Sequence, residues 1–389
     1  MESQIKKTVI LFCALAVGFL ASGKTLAVPP PERLVRVAVL KEVKEFNLSI
    51  KGKFKVIDSA TGQVLLQERA LRASKVRIGE QGIGVGLQSF FSPRLKFSPL
   101  KDATVYVNDR RLRGEVDIVK NGNGSLTVVN VLNLEDYIKG VLYHEVSHYW
   151  PLESIKAQAV AARTYALYQM GINKAKDYDV TNDIYSQVYG GRNSERYRTS
   201  VAVDRTRGLI LFYKGKIVPA YYSATCAGFT EDANELWKED LAPLKGVQCD
   251  YCVHSPHSRW KKNFRLKDIQ DKLNENGFKL GLIKEISIVE RNASGRIRTL
   301  KITTRDDKTA TISGKDFRNI IGPNLIRSNN YEIEMKGYYM DLIGKGWGHG
   351  VGLCQWGAAE MSRKGFNFKE ILSYYYPGAE IVGYETAGF

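Results

Sequence analysis

Tyr137-Ile-Lys-Gly-Val-Leu-Tyr-His-Glu145-Val-Ser-His-Tyr-Trp150-Pro-Leu-Glu-Ser-Ile155-Lys-Ala-Gln-Ala-Val-Ala-Ala-Arg163-Thr-Tyr-Ala-Leu-Tyr-Gln-Met170 is the stretch from which the rest of the 389-residue chain is read. In its second half Ile155, Ala159, Ala162, Ala166 and Met170 recur on one face at helical spacing. Pro151 suits the first helical turn, where its missing N–H is not needed. Glu153 lies where the helix dipole favours a negative charge. The face is nearly all alanine, so a neighbouring element can come close. One carboxylate, Glu145, stands in the loop ahead of this helix, among His144, Val146, His148, Tyr149 and Trp150. Burial among such groups disfavours the charged form and raises a carboxyl's pKa, which suits a general acid. A solvated loop glutamate is the plainer reading of the same residues. His144-Glu145-x-x-His148 comes near a zinc-protease pattern, but that pattern needs both histidines inside one helix, and Pro151 starts the helix after His148.

Outward from this stretch the chain is β-rich on the N-terminal side. Leu34 to Leu40, Phe46 to Val56 and Gln63 to Gln67 read as strands, the last two joined by the turn Asp58-Ser-Ala-Thr-Gly62. Further strands are expected near Lys75 to Ile78, Thr104 to Val107, Gly114 to Val119 and Leu126 to Val131. On the C-terminal side helices and strands interleave: a short helix at 193–205, then the strand Leu209 to Tyr213. Residues 262–334 read as an inserted lobe, with a helix Leu266 to Asn276, a hairpin of Ile286 to Arg291 with Arg296 to Thr304, and a helix from Ser313 to Gly322. The fold class is α+β: a β-rich N-terminal part, helices packed on a mixed sheet around a substrate groove, and an inserted α/β lobe.

Hydrophobic residues make up 44% of the chain, enough for a substantial core, so disorder is excluded as the default. Lys6 and Lys7, the apolar run Thr8 to Ala21 and the small-residue site Thr25-Leu-Ala27 read as a signal peptide over 1–27. No second long apolar run follows, so no transmembrane span is expected after its removal. The chain carries +16, and cleavage after Ala27 removes three lysines and one glutamate, leaving +14. Such a surface suits a polyanion: nucleic acid, anionic lipid or the bacterial wall. Export to the periplasm, cell wall or medium argues against nucleic acid.

Four cysteines survive signal removal. Cys226, Cys249 and Cys252, with His254 and His257, span 32 residues and could supply a Cys3His structural zinc site, with His257 as the fourth ligand and His254 in reserve. A disulfide, favoured by export, is the competing reading. Cys354, far from the others in sequence, reads as a small buried residue. The glycines of Gly346-Trp-Gly-His349-Gly-Val-Gly352 permit tight turns and close approach of a ligand. His349 among them is either a ligand contact or a histidine bound to backbone.

Three of these segments, in order, resemble the stage II sporulation protein D family (SpoIID/LytB domain). They are Gly140 to Glu145 with Trp150 to Leu167, then Tyr221-Tyr-Ser223-Ala-Thr-Cys226-Ala-Gly-Phe-Thr-Glu231, then Gly346 to Ala358. Ser186-Gln187-Val-Tyr189-Gly is a fourth, shorter likeness. The family pattern has Glu-Met-Pro where this chain has Glu145-Val-Ser147. The resemblance covers roughly 34–261 and 335–382 and implies a lytic transglycosylase that cuts the glycan strands of peptidoglycan. Glu145 would be its single catalytic acid, and no metal is needed for that chemistry. His349, Gln187, Tyr189, Ser223, Trp150 and Arg163 would be its substrate contacts. It also implies denuded strands as substrate and a wall amidase as partner. The competing function is a wall-binding module that stimulates an amidase without cutting. A third, a basic membrane- or nucleic-acid-surface protein, leaves Glu145 without a use.

Overall fold

β1 (Leu34–Val43) runs antiparallel to the strand Leu126–Asn133 and parallel to Val180–Thr181, with Val35 and Val37 fully buried beneath it. The computed structural model describes residues 33–79, 82–183, 186–385 and 387; the expected signal peptide, 1–27, lies outside them. β2 (Glu45–Asp58) and β3 (Val64–Ile78) form a long hairpin whose turn is held by Asp58 Oδ1, which accepts the N–H of Ala60 (2.8 Å) and Thr61 (3.0 Å). β3 is one strand where the sequence reading found two short ones. Most of its residues are exposed on both faces, so it has no apolar alternation to follow. These strands belong to one eleven-stranded sheet.

That sheet hands the chain directly to a helix the sequence reading missed. α1 (Leu134–Glu145) is capped by Asn133, whose side chain accepts the Glu135 N–H. Tyr137, Ile138, Val141 and Leu142 bury one side of it against the sheet. Glu145 is thus the last residue of a helix and not part of a loop. α2 (Leu152–Ile172) follows, with Pro151 at its N-cap. It is buried on nearly every side, with Ala157, Ala159, Ala161, Ala162 and Ala166 fully enclosed, so α1 and the helix Gln355–Arg363 both pack against it. Arg163, expected to touch substrate, is fully buried on the side of α2 that faces α1. Its guanidinium grips Glu135 at 2.8 and 2.7 Å and donates to the Leu209 carbonyl, so it joins α2 to α1 and reaches no ligand.

From Trp260 to Gly344 the chain builds two three-stranded sheets and the helices Leu266–Glu275 and Gly314–Ile321 around a separate core that includes Leu300, Phe317 and Met340. This segment is locked to the rest by polar groups. Buried Glu231 accepts from Asn292 Nδ2 (2.5 Å) and Ser294 Oγ (2.9 Å). Arg296, 2% exposed, donates to the carbonyls of Phe229 (3.0 Å) and Cys226 (2.6 Å). Gly350 makes room for it, since a Cβ there would lie 2.2 Å from the guanidinium.

Candidate active site

The end of α1 opens into a cleft of about 710 Å³, lined on one side by Glu145, Tyr222 and Ser223 and on the other by Lys315, Arg318 and Asn329 of the 260–344 segment. A carboxylate on the last residue of a helix sits where the dipole opposes its charge. Burial raises the Glu145 carboxyl to about 7, against the pull of bonds from Gln355, the Val188 N–H and Tyr222. Gln355 Nε2 lies 3.4 Å from Glu145 Oε2. These donors are all neutral. Asp183 is the other carboxylate among the described residues of the lining; it accepts from Thr181 Oγ1 and is not among the causes of the Glu145 shift.

Behind Glu145 runs a buried chain of side chains. Tyr137 OH donates to Gln187 Oε1 (3.1 Å), and Gln187 Nε2 donates to Tyr222 OH (2.8 Å). The Tyr222 hydroxyl, its lone pair so engaged, is left to donate to Glu145. Gln187, expected to contact sugar, is 1% exposed and works through Tyr222. Tyr189 is equally buried; its ring packs at a tilt against Tyr137 and its hydroxyl donates to Asn130 Oδ1. It reaches this place because residue 140 is glycine, where a Cβ would lie 2.4 Å from the Tyr189 ring. Trp150 packs edge-on against Trp356 at 5.0 Å and is not on the lining.

His349 lines the same cleft as Glu145, yet no hydrogen bond or ion pair joins the two. Its Nδ1 accepts the Val351 N–H at 3.0 Å, and the ring also bonds the Tyr222 backbone. Burial, reinforced by the charges of Arg318 and Arg296, pushes its pKa down to about 3. It is therefore a neutral brace that fixes Tyr222. Ser223 lines the cleft beside it.

The fourth cysteine corrects the expected metal set. A two-residue parallel ladder pairs Tyr222 with Leu353 and Ser223 with Cys354, which carries Cys354 to Cys226. The sulfurs of Cys226, Cys249, Cys252 and Cys354 lie within 4.8 Å of one another, all buried. His257 stands apart with its ring against Trp347 (4.5 Å), and His254 is exposed. The Cys226 and Cys252 sulfurs are 3.6 Å apart. Sulfurs about 2.3 Å from one tetrahedral ion sit roughly 3.8 Å from each other, whereas a disulfide holds them at about 2.05 Å. The donor set therefore fits one thiophilic ion. No cysteine lines the cleft, but Cys354 immediately precedes Gln355, so the cluster fixes the start of the helix that reaches Glu145.

The sequence motifs enclosed Tyr222 and Gln355 without marking them out. Their only signal was adjacency to Ser223 and Cys354.

Comparison with known proteins covers the site in two parts and leaves Tyr222, Ser223 and Gln355 outside both. A family model described as Stage II sporulation protein matches residues 122–213, and one of a domain of unknown function matches 249–352. Glu145 and Gln187 fall in the first match, and Asn329, Trp347 and His349 in the second. An uncharacterized protein of Brachyspira hyodysenteriae is 33% identical over 91% of this chain and 94% of its own length. Stage II sporulation protein D of Bacillus subtilis is 30% identical over 65% of this chain and 75% of its own length. Amidase enhancer of the same organism is 29% identical over 64% of this chain, which spans 40% of that relative.

Proposed function

Because the chain belongs to the stage II sporulation protein D family, we infer that it is an exported lytic transglycosylase of peptidoglycan, with Glu145 as its single acid and base. The observation that carries this reading is a carboxyl held near 7 on the wall of a cleft, among neutral donors. Hydrolysis of a glycoside ordinarily uses two carboxylates, one as acid and one as base or nucleophile. A lytic transglycosylase manages with one. The protonated Glu145 gives its proton to the glycosidic oxygen between N-acetylmuramic acid and N-acetylglucosamine, and the C1–O bond breaks. The Glu145 carboxylate then takes the proton of the muramic C6 hydroxyl as O6 bonds to C1. The products are a free 4-hydroxyl and a 1,6-anhydro ring, and the acid is restored without water. Gln355 and Tyr222 stabilise the carboxylate midway.

The natural substrate is a denuded strand, which places the enzyme after a wall amidase. The four thiolates hold a structural zinc ion, whose contribution is to brace the start of the helix Gln355–Arg363. Among the described residues no helix is long and apolar enough to cross a membrane. The resemblance to Amidase enhancer favours a second reading, a wall-binding stimulator of an amidase. Digestion of denuded glycan followed by mass spectrometry separates the two. The wild type should release anhydro-muramic ends, and Glu145→Gln should lose on the order of 10²–10⁴-fold or more in rate, as expected for removal of a general acid. Release by the variant at near the wild-type rate removes Glu145 from the mechanism, and intact strands with the wild type favour the stimulator.

A further inference from the structure

Two polar side chains on the cleft lining lack what buried polar groups normally have. Asn329 is 8% exposed and Ser223 is 7% exposed. Both face the cleft, and neither Asn329 Oδ1 nor Ser223 Oγ has a hydrogen-bond partner. Leaving such a group unpaired costs on the order of 1–3 kcal/mol, so a matched pair of them in one cleft is a feature in search of a ligand.

They are neighbours through one loop. Gly348 turns its back on Ser223, whose Cβ would lie 2.6 Å from any Cβ at 348, and its N–H donates to the Arg327 carbonyl at 2.8 Å, two residues before Asn329. Residue 348 must be glycine both for that contact and for its φ of +106°. Trp347, next along the loop, also faces the cleft and offers it an apolar surface. Asn329 belongs to the 260–344 segment and Ser223 to the wall that bears Tyr222, so the two sides of the cleft each contribute one group.

We propose that Asn329 and Ser223, across Gly348, form a subsite that reads the 2-acetamido group of an amino sugar. The proposal rests on the glycan reading above. The Asn329 carboxamide oxygen accepts the acetamido N–H, the Ser223 hydroxyl donates to its carbonyl, and Trp347 covers the methyl. A sugar hydroxyl can donate to Asn329 and accept from Ser223 but leaves Trp347 uncovered; an acetamido group serves all three together. The 260–344 segment is then the half of the cleft that distinguishes amino-sugar polymer from plain glucan.

The test is binding of chitotetraose and of cellotetraose, its neutral counterpart with hydroxyls in place of the acetamido groups, to the Glu145→Gln protein by titration calorimetry. Chitotetraose should bind on the order of tenfold or more tighter than cellotetraose, and Asn329→Ala should bring the two within about threefold. Asn329 keeps its backbone bond to Ile297 in that variant, and an unchanged melting temperature checks the fold. Ser223→Ala, the loss of one atom, should narrow the preference on its own. Equal binding of both sugars by the Glu145→Gln protein, or a preference that survives Asn329→Ala and Ser223→Ala, overturns the subsite and leaves the transglycosylase reading standing. Failure of chitotetraose to bind at all overturns both.

Discussion

Holding a carboxyl at about 7 destabilises the fold in one window of pH. Glu145 titrates near its ordinary 4.5 when unfolded and near 7 when folded. Its neutral form is the one the fold accepts, so the full stability is present below about 4.5 and is lost progressively as pH rises through 7. Glu145→Gln removes that loss. The variant should match the wild type at pH 4 and exceed it at pH 8, by on the order of 1–3 kcal/mol in urea denaturation. Equal stabilities at both pH values would show that the carboxyl is not desolvated. On the proposed mechanism the same proton sets the rate. The free enzyme must carry it, so kcat/KM should fall above about pH 7. Tyr222 lowers the Glu145 pKa, so Tyr222→Phe should move that alkaline limb to higher pH while reducing kcat. A limb that stays in place or moves down removes Tyr222 from contact with the carboxyl. Glu145 was singled out in the sequence as the candidate acid because the glutamate is part of a motif. Its environment was not, because Gln355 lies 210 residues away and nothing local marks it.

Among the elements, the ladder of Tyr222–Ser223 with Leu353–Cys354 does the most with the fewest residues. It closes the cysteine cluster on one side and delivers Tyr222 to the cleft on the other. Elemental analysis should find on the order of one zinc per chain, and Cys354→Ala should lower both metal content and melting temperature, the latter by more than about 5 °C. Activity should fall with it, because Gln355 follows the lost ligand. A fully loaded, fully stable Cys354→Ala protein would return the fourth position to a histidine. Cys354 was misread because distance along the chain was taken for distance in space, and a two-residue strand leaves no periodic signature. The α1 helix escaped for a related reason: Gly140 in its middle lowers helix propensity, and the reason for that glycine is the Tyr189 ring, 49 residues on. α2, β1 and β2 were legible to within a few residues, whereas β3 was split and the strands Ile83–Val85, Gln88–Phe90 and Arg94–Pro99 were missed.

At the scale of the molecule, the 260–344 segment is a wall of the cleft and also a buttress. Glu231, raised by burial and facing Arg296, is one of its anchors. Glu231→Ala leaves Asn292 and Ser294 without their acceptor and removes the negative charge opposite Arg296. It should cost on the order of 2–4 kcal/mol in denaturant. A cost below about 1 kcal/mol would mean the segment is held by its apolar contacts alone. The segment's two helices and its hairpin Ile283–Arg291 with Ile297–Thr304 were read from sequence within a few residues, whereas the strands Trp260–Arg265, Thr309–Ser313, Tyr331–Lys336 and Tyr339–Gly344 were not. Its part in the cleft was not, because Asn329 and Arg318 sit in no pattern until the loop at 346–352 is laid against them.

The bond between Gln355 and Glu145 also has a meaning in time. A chain is made from its N-terminus, so Glu145 emerges long before the residues that enclose it. Until Gln355 and the glycine loop have folded back over the cleft, that carboxyl faces water and ionises as any exposed glutamate does. On the proposed mechanism, the proton that would cut a glycan strand is thus withheld from every partial chain. It is the enclosure by those late segments that retains the proton, since Gln355 itself, as a donor, pulls the pKa of the carboxyl down.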